Sequence, residues 1–263
     1  MTRVIRAPNP SPMALDGTRT YVVGRERPVV VDPGPDDAGH LDAIERELGG
    51  AAPVAILLTH AHPDHADAAP ALARRTGAPV WMGRGALHPP PLDVARWLED
   101  GDEVETDAGL VRAVATPGHA PEHLAFHHAD VLIAGDAFMG GSDTTLVAPP
   151  EGDLAAYMRT LDRVAALGVA RILPAHGPPI DDPAAAVERY RAHRRERIEQ
   201  VVRALRQAGP ARPDGILDAV YGPELHPALR GAAEGSLHAI LAFLRATGRV
   251  RALADHTFAL ADG

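Results

Sequence analysis

The chain has 263 residues, 46% of them hydrophobic and only 4% aromatic, enough apolar material for one large domain or one domain with a small companion. Its net charge of −9 attracts neither nucleic acid nor anionic membranes through the overall field. With no Cys, disulfides, thiolate metal sites and thiol nucleophiles are excluded, so any metal must be held by His and carboxylates.

Met1 to Pro12 has no apolar signal-like core, and no run of about 18 apolar residues occurs, so the expectation is a cytoplasmic protein away from membranes. Tyr21–Val23 and Val29–Val31 read as strands split by the turn-forming stretch Gly24 to Pro28; Asp32-Pro33-Gly34 stops the second. Leu41, Ile44 and Leu48 line one face of a short helix, and Val54 to Leu58 reads as a buried strand. A His-rich loop follows, then a helix over His65 to Thr76 with Asp64 at its start, where a carboxylate is electrostatically favoured. Val80–Met82 is a strand and Gly83 to Leu92 a Pro-rich loop. Further strands are expected at Leu110–Ala115, Leu124–Phe126, Val131–Ala134 and Arg171–Leu173, with a helix over Leu154 to Leu167.

A boundary falls near Pro178 to Pro183, which divides the chain into 1–183 and 184–263. Beyond it come a long Arg-rich helix over Ala184 to Ala208, helices at Ile216–Tyr221 and Ser236–Thr247, and a hairpin within Val250 to Phe258, the recipe for a winged-helix module. From Glu188 onward 12 Arg meet 9 acidic residues, a balance of +3 that leaves −12 on the rest.

The central signal is Thr59-His60-Ala61-His62-Pro63-Asp64-His65. Imidazoles and carboxylates together suit zinc, with manganese and iron as rivals. In extended chain, residues two apart point the same way, so His60 and His62 can share one ion. Asp64 and His65 sit where the chain turns into a helix and can face a second. Too few ligands are present for two closed sites, and the missing ones stand at strand ends: His119 after Pro117-Gly118, Asp136 after Gly135, and His176 before Gly177.

With Asp32 in Val31-Asp32-Pro33-Gly34, this ordered set resembles the metallo-β-lactamase superfamily over roughly Tyr21 to Ile180. The resemblance implies an α+β fold, a four-layer αββα sandwich with the site at one edge. It assigns His60, His62 and His119 to a first metal, Asp64, His65 and His176 to a second, and Asp136 to a bridge between them. Asn9-Pro10-Ser11-Pro12, Leu15-Asp16-Gly17-Thr18 and Pro149 to Asp153, together with the winged-helix tail, are similar to the β-lactamase-like protein 2 group. Arg19 departs from that group, which has Asn between the two Thr.

Two divalent ions about 3.5–4 Å apart lower the pKa of a shared water toward neutrality. Asp64 is then the catalytic residue that orients the water and shuttles its proton, while Asp32 and Thr59 support the ligands. His123, four residues after His119, and Arg19 are substrate-side candidates. His127 and His128 are expected at the surface, and His40, His88, His193, His226, His238 and His256 lack companion spacing. Two substrates fit: single-stranded RNA, contacted by Arg191, Arg194, Arg195, Arg197, Arg203 and Arg206, or an acyl ester or thioester. The scarcity of aromatics for base stacking counts against RNA. A homodimer is an open expectation. A third reading makes the winged helix a DNA-binding regulator with the hydrolase body as sensor, but Ser236 to Thr247 carries only Arg245.

Overall fold

The computed structural model describes residues 2–88, 91–222 and 225–261. The chain opens with β1 (Thr2–Arg6), β2 (Arg19–Val23) and β3 (Val29–Val31), then α1 (Ala38–Leu48), β4 (Ala55–Leu58), the single turn α2 (Pro63–Ala66), α3 (Ala69–Thr76), β5 (Val80–Gly83) and β6 (Val94–Leu98). The strands form a six-stranded sheet in sequence order, antiparallel at β1-β2-β3 and parallel from β3 onward. Next come β7 (Glu103–Thr106), β8 (Gly109–Ala115), β9 (Leu124–His128), β10 (Val131–Gly135), α4 (Leu154–Leu167) and β11 (Arg171–Pro174). These strands make a five-stranded sheet ordered β11-β10-β9-β8-β7, with β10 and β11 parallel.

Strict alternation along the strands sorts the core into layers. Tyr21, Val29, Val31 and Leu57 from the first sheet meet Val111, Ala113, Phe126 and Ile133 from the second. The neighbouring residues Val22, Val30, Ile56 and Leu58 face the other way, onto Leu41 and Ile44 of α1 and Leu72 of α3. On the far side, Ala125, Leu132 and Ile172 cover Tyr157, Leu161 and Val164 of α4. The central strands are therefore buried on both faces, which is why β3, β4 and β10 read as unbroken apolar runs. The result is a four-layer αββα sandwich.

After the sandwich come α5 (Pro183–Ala208), α6 (Pro213–Tyr221), α7 (Arg230–Ala246) and an antiparallel hairpin of β12 (Val250–Ala252) and β13 (Phe258–Leu260). Ala211, between α5 and α6, bridges to Phe258 of the hairpin. One apolar core joins these helices to α4: Val187 and Tyr190 of α5 share it with Leu161, and Ile198, Leu237 and Leu244 continue it. No helix of the described residues is long and apolar enough to cross a membrane.

Several local expectations are corrected. The helix over His65 to Thr76 is broken into α2 and α3, because Pro70 supplies no backbone N–H in the first turn of α3 and the Ala68 N–H turns away to Gly34 O at 3.0 Å. His128 is buried rather than at the surface, its Nδ1 3.1 Å from the Leu110 carbonyl. α7 starts at Arg230, six residues before Ser236. β1, β6 and β7 are additional to the strands expected from the sequence.

Gly118 closes the packing between a site loop and α4. Its φ of +136° suits glycine, and a Cβ there would lie 2.4 Å from Tyr157 Cα. Gly118→Ala should cost about 3 kcal/mol, read as a lowered unfolding midpoint in denaturant.

Candidate metal centre

The directions of β3, β4, β8, β10 and β11 bring their C-terminal ends to one edge of the sandwich. Asp32 follows β3, Thr59 and His60 follow β4, His119 follows β8 by a short loop, Asp136 follows β10, and His176 follows β11. Backbone hydrogen bonds stitch this edge: Leu124 N donates to Thr59 O at 2.8 Å and Arg19 N to Ala175 O at 2.8 Å.

Here the structure gathers the seven side chains. His60, His62 and His119 offer ligand atoms within 4.8 Å of one another, as do Asp64, His65 and His176, and also His60, His65 and Asp136. Asp136 stands between the two triads. Its Oδ1 is 3.4 Å from His65 Nε2 and 3.2 Å from His176 Nε2, and its Oδ2 is 3.6 Å from His119 Nε2. His60, His65 and His176 are fully buried, whereas the side chains of Asp64 and His62 are 36% and 31% exposed. The centre therefore opens to solvent along the edge that these two residues form.

The imidazoles are held by their outer nitrogens. Asp32, buried with φ +50°, accepts Thr59 N–H at 2.8 Å, the Thr59 hydroxyl at 2.7 Å and His65 Nδ1–H at 2.9 Å. Since the Thr59 hydroxyl donates to Asp32, its oxygen accepts His60 Nδ1–H, at 3.0 Å. One carboxylate thus fixes the tautomer of a histidine in each triad and leaves both Nε2 atoms facing inward. His119 donates through Nδ1 to Leu146 O at 2.7 Å, and His62 through Nε2 to Glu151 at 2.7 Å, which turns His62 Nδ1 toward His119 Nε2 at 3.0 Å.

This arrangement fits divalent cations. His60 Nε2, His65 Nε2 and Asp136 Oδ1 are buried with no hydrogen-bond partner among the described residues, an arrangement that is costly unless something binds them. The electrostatics agree. Burial pushes the Asp136 carboxyl up, but the adjoining His65 and His176 hold it well below the ordinary carboxylate range. Burial opposes protonation of His176, yet the carboxylates of Asp136 and Asp64, 3.2 and 3.3 Å from its Nε2, raise it to about 9. His65 is likewise held well above its ordinary value by Asp136, Asp64 and Asp32 against burial. The carboxylates demand positive charge here, and metal ions can supply it in place of protons.

His123 and Arg19 take supporting places. His123 is buried; its Nδ1 meets Thr116 Oγ1 at 2.8 Å and its Nε2 accepts Asp136 N–H at 3.2 Å, so neither nitrogen is presented to substrate. Burial and the neighbouring His119 hold it neutral, well below the usual imidazole range. Arg19 grips Asp16 with two hydrogen bonds of 2.9 and 2.8 Å, and Asp16 also accepts Gly177 N–H at 3.3 Å beside His176. Two carboxylates escaped the sequence reading: Glu151, which holds His62, and Glu122, buried and accepting Ala61 N–H at 3.0 Å. Glu122 sits between two noted histidines, and Glu151 lies in the Pro149 to Asp153 stretch, noted only for its resemblance and given no role at the site.

The sandwich thus carries, at one edge, a cluster of side chains able to hold metal ions. The Metallo-beta-lactamase superfamily model matches residues 14–176, and the chain belongs to that superfamily. It is 34% identical over 205 residues to the lactamase-like protein adaB of Aspergillus niger, covering 76% of this chain but only 62% of adaB. The beta-lactamase-like protein 2 homolog of Caenorhabditis elegans is 27% identical over 231 residues, 84% of this chain and 76% of that protein. A beta-lactamase domain protein from Burkholderia ambifaria has a similar structure, with a TM-score of 0.84 and 25% identity over 99% of this chain and 91% of that one.

Asp32→Asn keeps the acceptor for Thr59 but loses the charge that holds His65. Zinc affinity, read by competition with a chromophoric chelator, should fall about 10- to 100-fold while the fold persists. An unchanged affinity would contradict the role given to Asp32.

Proposed function

We propose that this protein hydrolyses an acyl ester or thioester at a binuclear, zinc-preferring centre. His60, His62 and His119 would hold one ion, Asp64, His65 and His176 the other, and Asp136 would serve both. The observation that carries this is the pair of ligand triads sharing Asp136, with buried lone pairs left unpartnered. Divalent ions bound there supply Lewis acidity toward a carbonyl oxygen and a water acidified to near-neutral pKa.

The chain's own residues divide the remaining work. Asp64 is the most exposed of the seven, with Oδ2 3.3 Å from His176 Nε2, so it can hold a proton from water and release it to the leaving group. Asp32 and Thr59 keep His60 and His65 in one tautomer through the cycle. His123 and Thr145 fix the Asp136 backbone from its N–H and carbonyl sides, at 3.2 and 2.8 Å.

The acyl substrate is favoured over RNA because much of the Arg-rich face of α5 is already occupied. Arg191 pairs with Glu188 and Asp162, Arg189 with Asp143, and Arg194 is buried. Arg195, Arg203 and Arg206 are exposed and keep the RNA reading testable. We read 184–263 as a winged-helix-like domain that shapes the cleft. A DNA-reading role for α7 fits poorly, since its Arg230 pairs with Asp218 and Glu234 and its Leu237, Ile240 and Leu244 are buried.

Zinc-loaded protein should turn over acyl thioesters of N-acetylcysteamine at a rate nearly independent of salt, and His62→Ala should lower kcat/KM by about a thousandfold or more. Cleavage of a single-stranded RNA oligomer that fades steeply with salt, without thioester turnover, would replace this reading.

A further inference from the structure

A cavity of about 320 Å³ lies against the loop that follows Asp136, walled by that loop, by the segment from Pro12 to Leu15, and by α5, α6 and α7. The loop is a shared partition. Its Leu146 carbonyl accepts His119 Nδ1–H and its Thr145 hydroxyl donates to Asp136 O, while both residues also line the cavity. The cavity and the metal centre thus lie on two sides of one loop, close enough for a single substrate to be tested at both.

The lining is apolar at the mouth and cationic within. Among the described residues, three of the eight exposed large hydrophobic side chains, Met13, Leu15 and Leu229, line this one cavity. Clustered exposed apolar side chains around a concavity mark a binding site more often than chance. Arg194, 4% exposed, is fastened by Thr145 O and stacks over Tyr157, yet its Nε–H has no partner among the described residues. His193 Nδ1 is also buried and unpaired, and Arg197 lies over the Tyr221 ring. All three line the cavity, and no described carboxylate does, in a protein of net charge −9. A buried guanidinium with an unused donor and no acidic neighbour in the cavity calls for an anionic oxygen.

We propose that this cavity receives the apolar acyl body of the substrate and that Arg194, with Arg197, binds an anionic oxygen carried on that body. The inference rests on the acyl-hydrolase reading above and narrows it to esters or thioesters of apolar acids that bear a second acidic group. The corresponding ligand class is an apolar organic anion. His193, which lacked companion spacing in the sequence, becomes a pocket residue through its place on α5.

The test uses the full chain and 2-naphthoate, with 2-naphthylmethanol as its neutral counterpart, titrated by calorimetry. Naphthoate should bind zinc-loaded and metal-free protein alike, and at least about tenfold tighter than the alcohol. Arg194→Met should erase that preference and leave alcohol binding unchanged, while Ser236→Trp, which fills the cavity, should abolish both. Should Arg194→Met fail to fold, Arg197→Met and Ser236→Trp decide the matter. Naphthoate binding that survives Ser236→Trp, that needs zinc, or that is weaker than binding of 5′-adenylate overturns the proposal. Thioester turnover with no such binding sinks the pocket alone, whereas naphthoate binding without any thioester turnover sinks the activity alone.

Discussion

The carboxylate of Asp136 is nearly buried, at one edge of two sheets, with imidazoles of His65, His119 and His176 on its sides. A charge in that position is tolerated only when it is paired, and much of the surrounding structure keeps the pairing in place. Gly135 lets the chain turn tightly before it: φ is +49°, and a Cβ would come within 2.7 Å of both His123 Nε2 and Thr59 Oγ1. His123 and Thr145 then pin its peptide on either side. The parallel pairing of β10 with β11 carries His176 to the same edge. The site is thus a consequence of strand direction and of a few well-anchored turns.

The same anchoring joins the candidate metal centre to the C-terminal helices. The loop after Asp136 meets the metal centre through Thr145 and Leu146, and α5 through Tyr190, whose hydroxyl donates to Met139 O at 3.0 Å and accepts its N–H at 2.7 Å. Arg194 holds the far end of the loop at Thr145 O. Because α5 is packed into the core shared with α4, this contact is buried rather than a surface association. On the function proposed, α5, α6 and α7 would set substrate choice without any of them supplying a metal ligand.

Much of the candidate cluster was legible in the sequence because four of its side chains share one short motif and the rest stand near the ends of apolar runs. A strand that must be buried on both faces announces itself as such a run, and the polar residues within a few positions of its end are delivered to the edge. What stayed hidden depends on tertiary contact. Glu151 reaches His62 from 89 positions away, and the cavity gathers Met13, Arg194 and Leu229 from three distant segments. β1, with Val4 56% exposed, and β6, with three consecutive exposed residues, lie at the edges of the first sheet and lack a clean apolar alternation. The helix break before Pro70 needed the competing acceptor on Gly34 as well as the proline itself.

The central claim is that two cations belong on either side of Asp136. Crystals of zinc-loaded protein, measured at the zinc absorption edge, would show this directly in an anomalous difference map. Two peaks are expected, one within coordination distance of His60, His62 and His119, the other of Asp64, His65 and His176, with Asp136 reaching both. A map with no peak at this edge of the sandwich, from protein shown to be folded and saturated with zinc, would contradict the account.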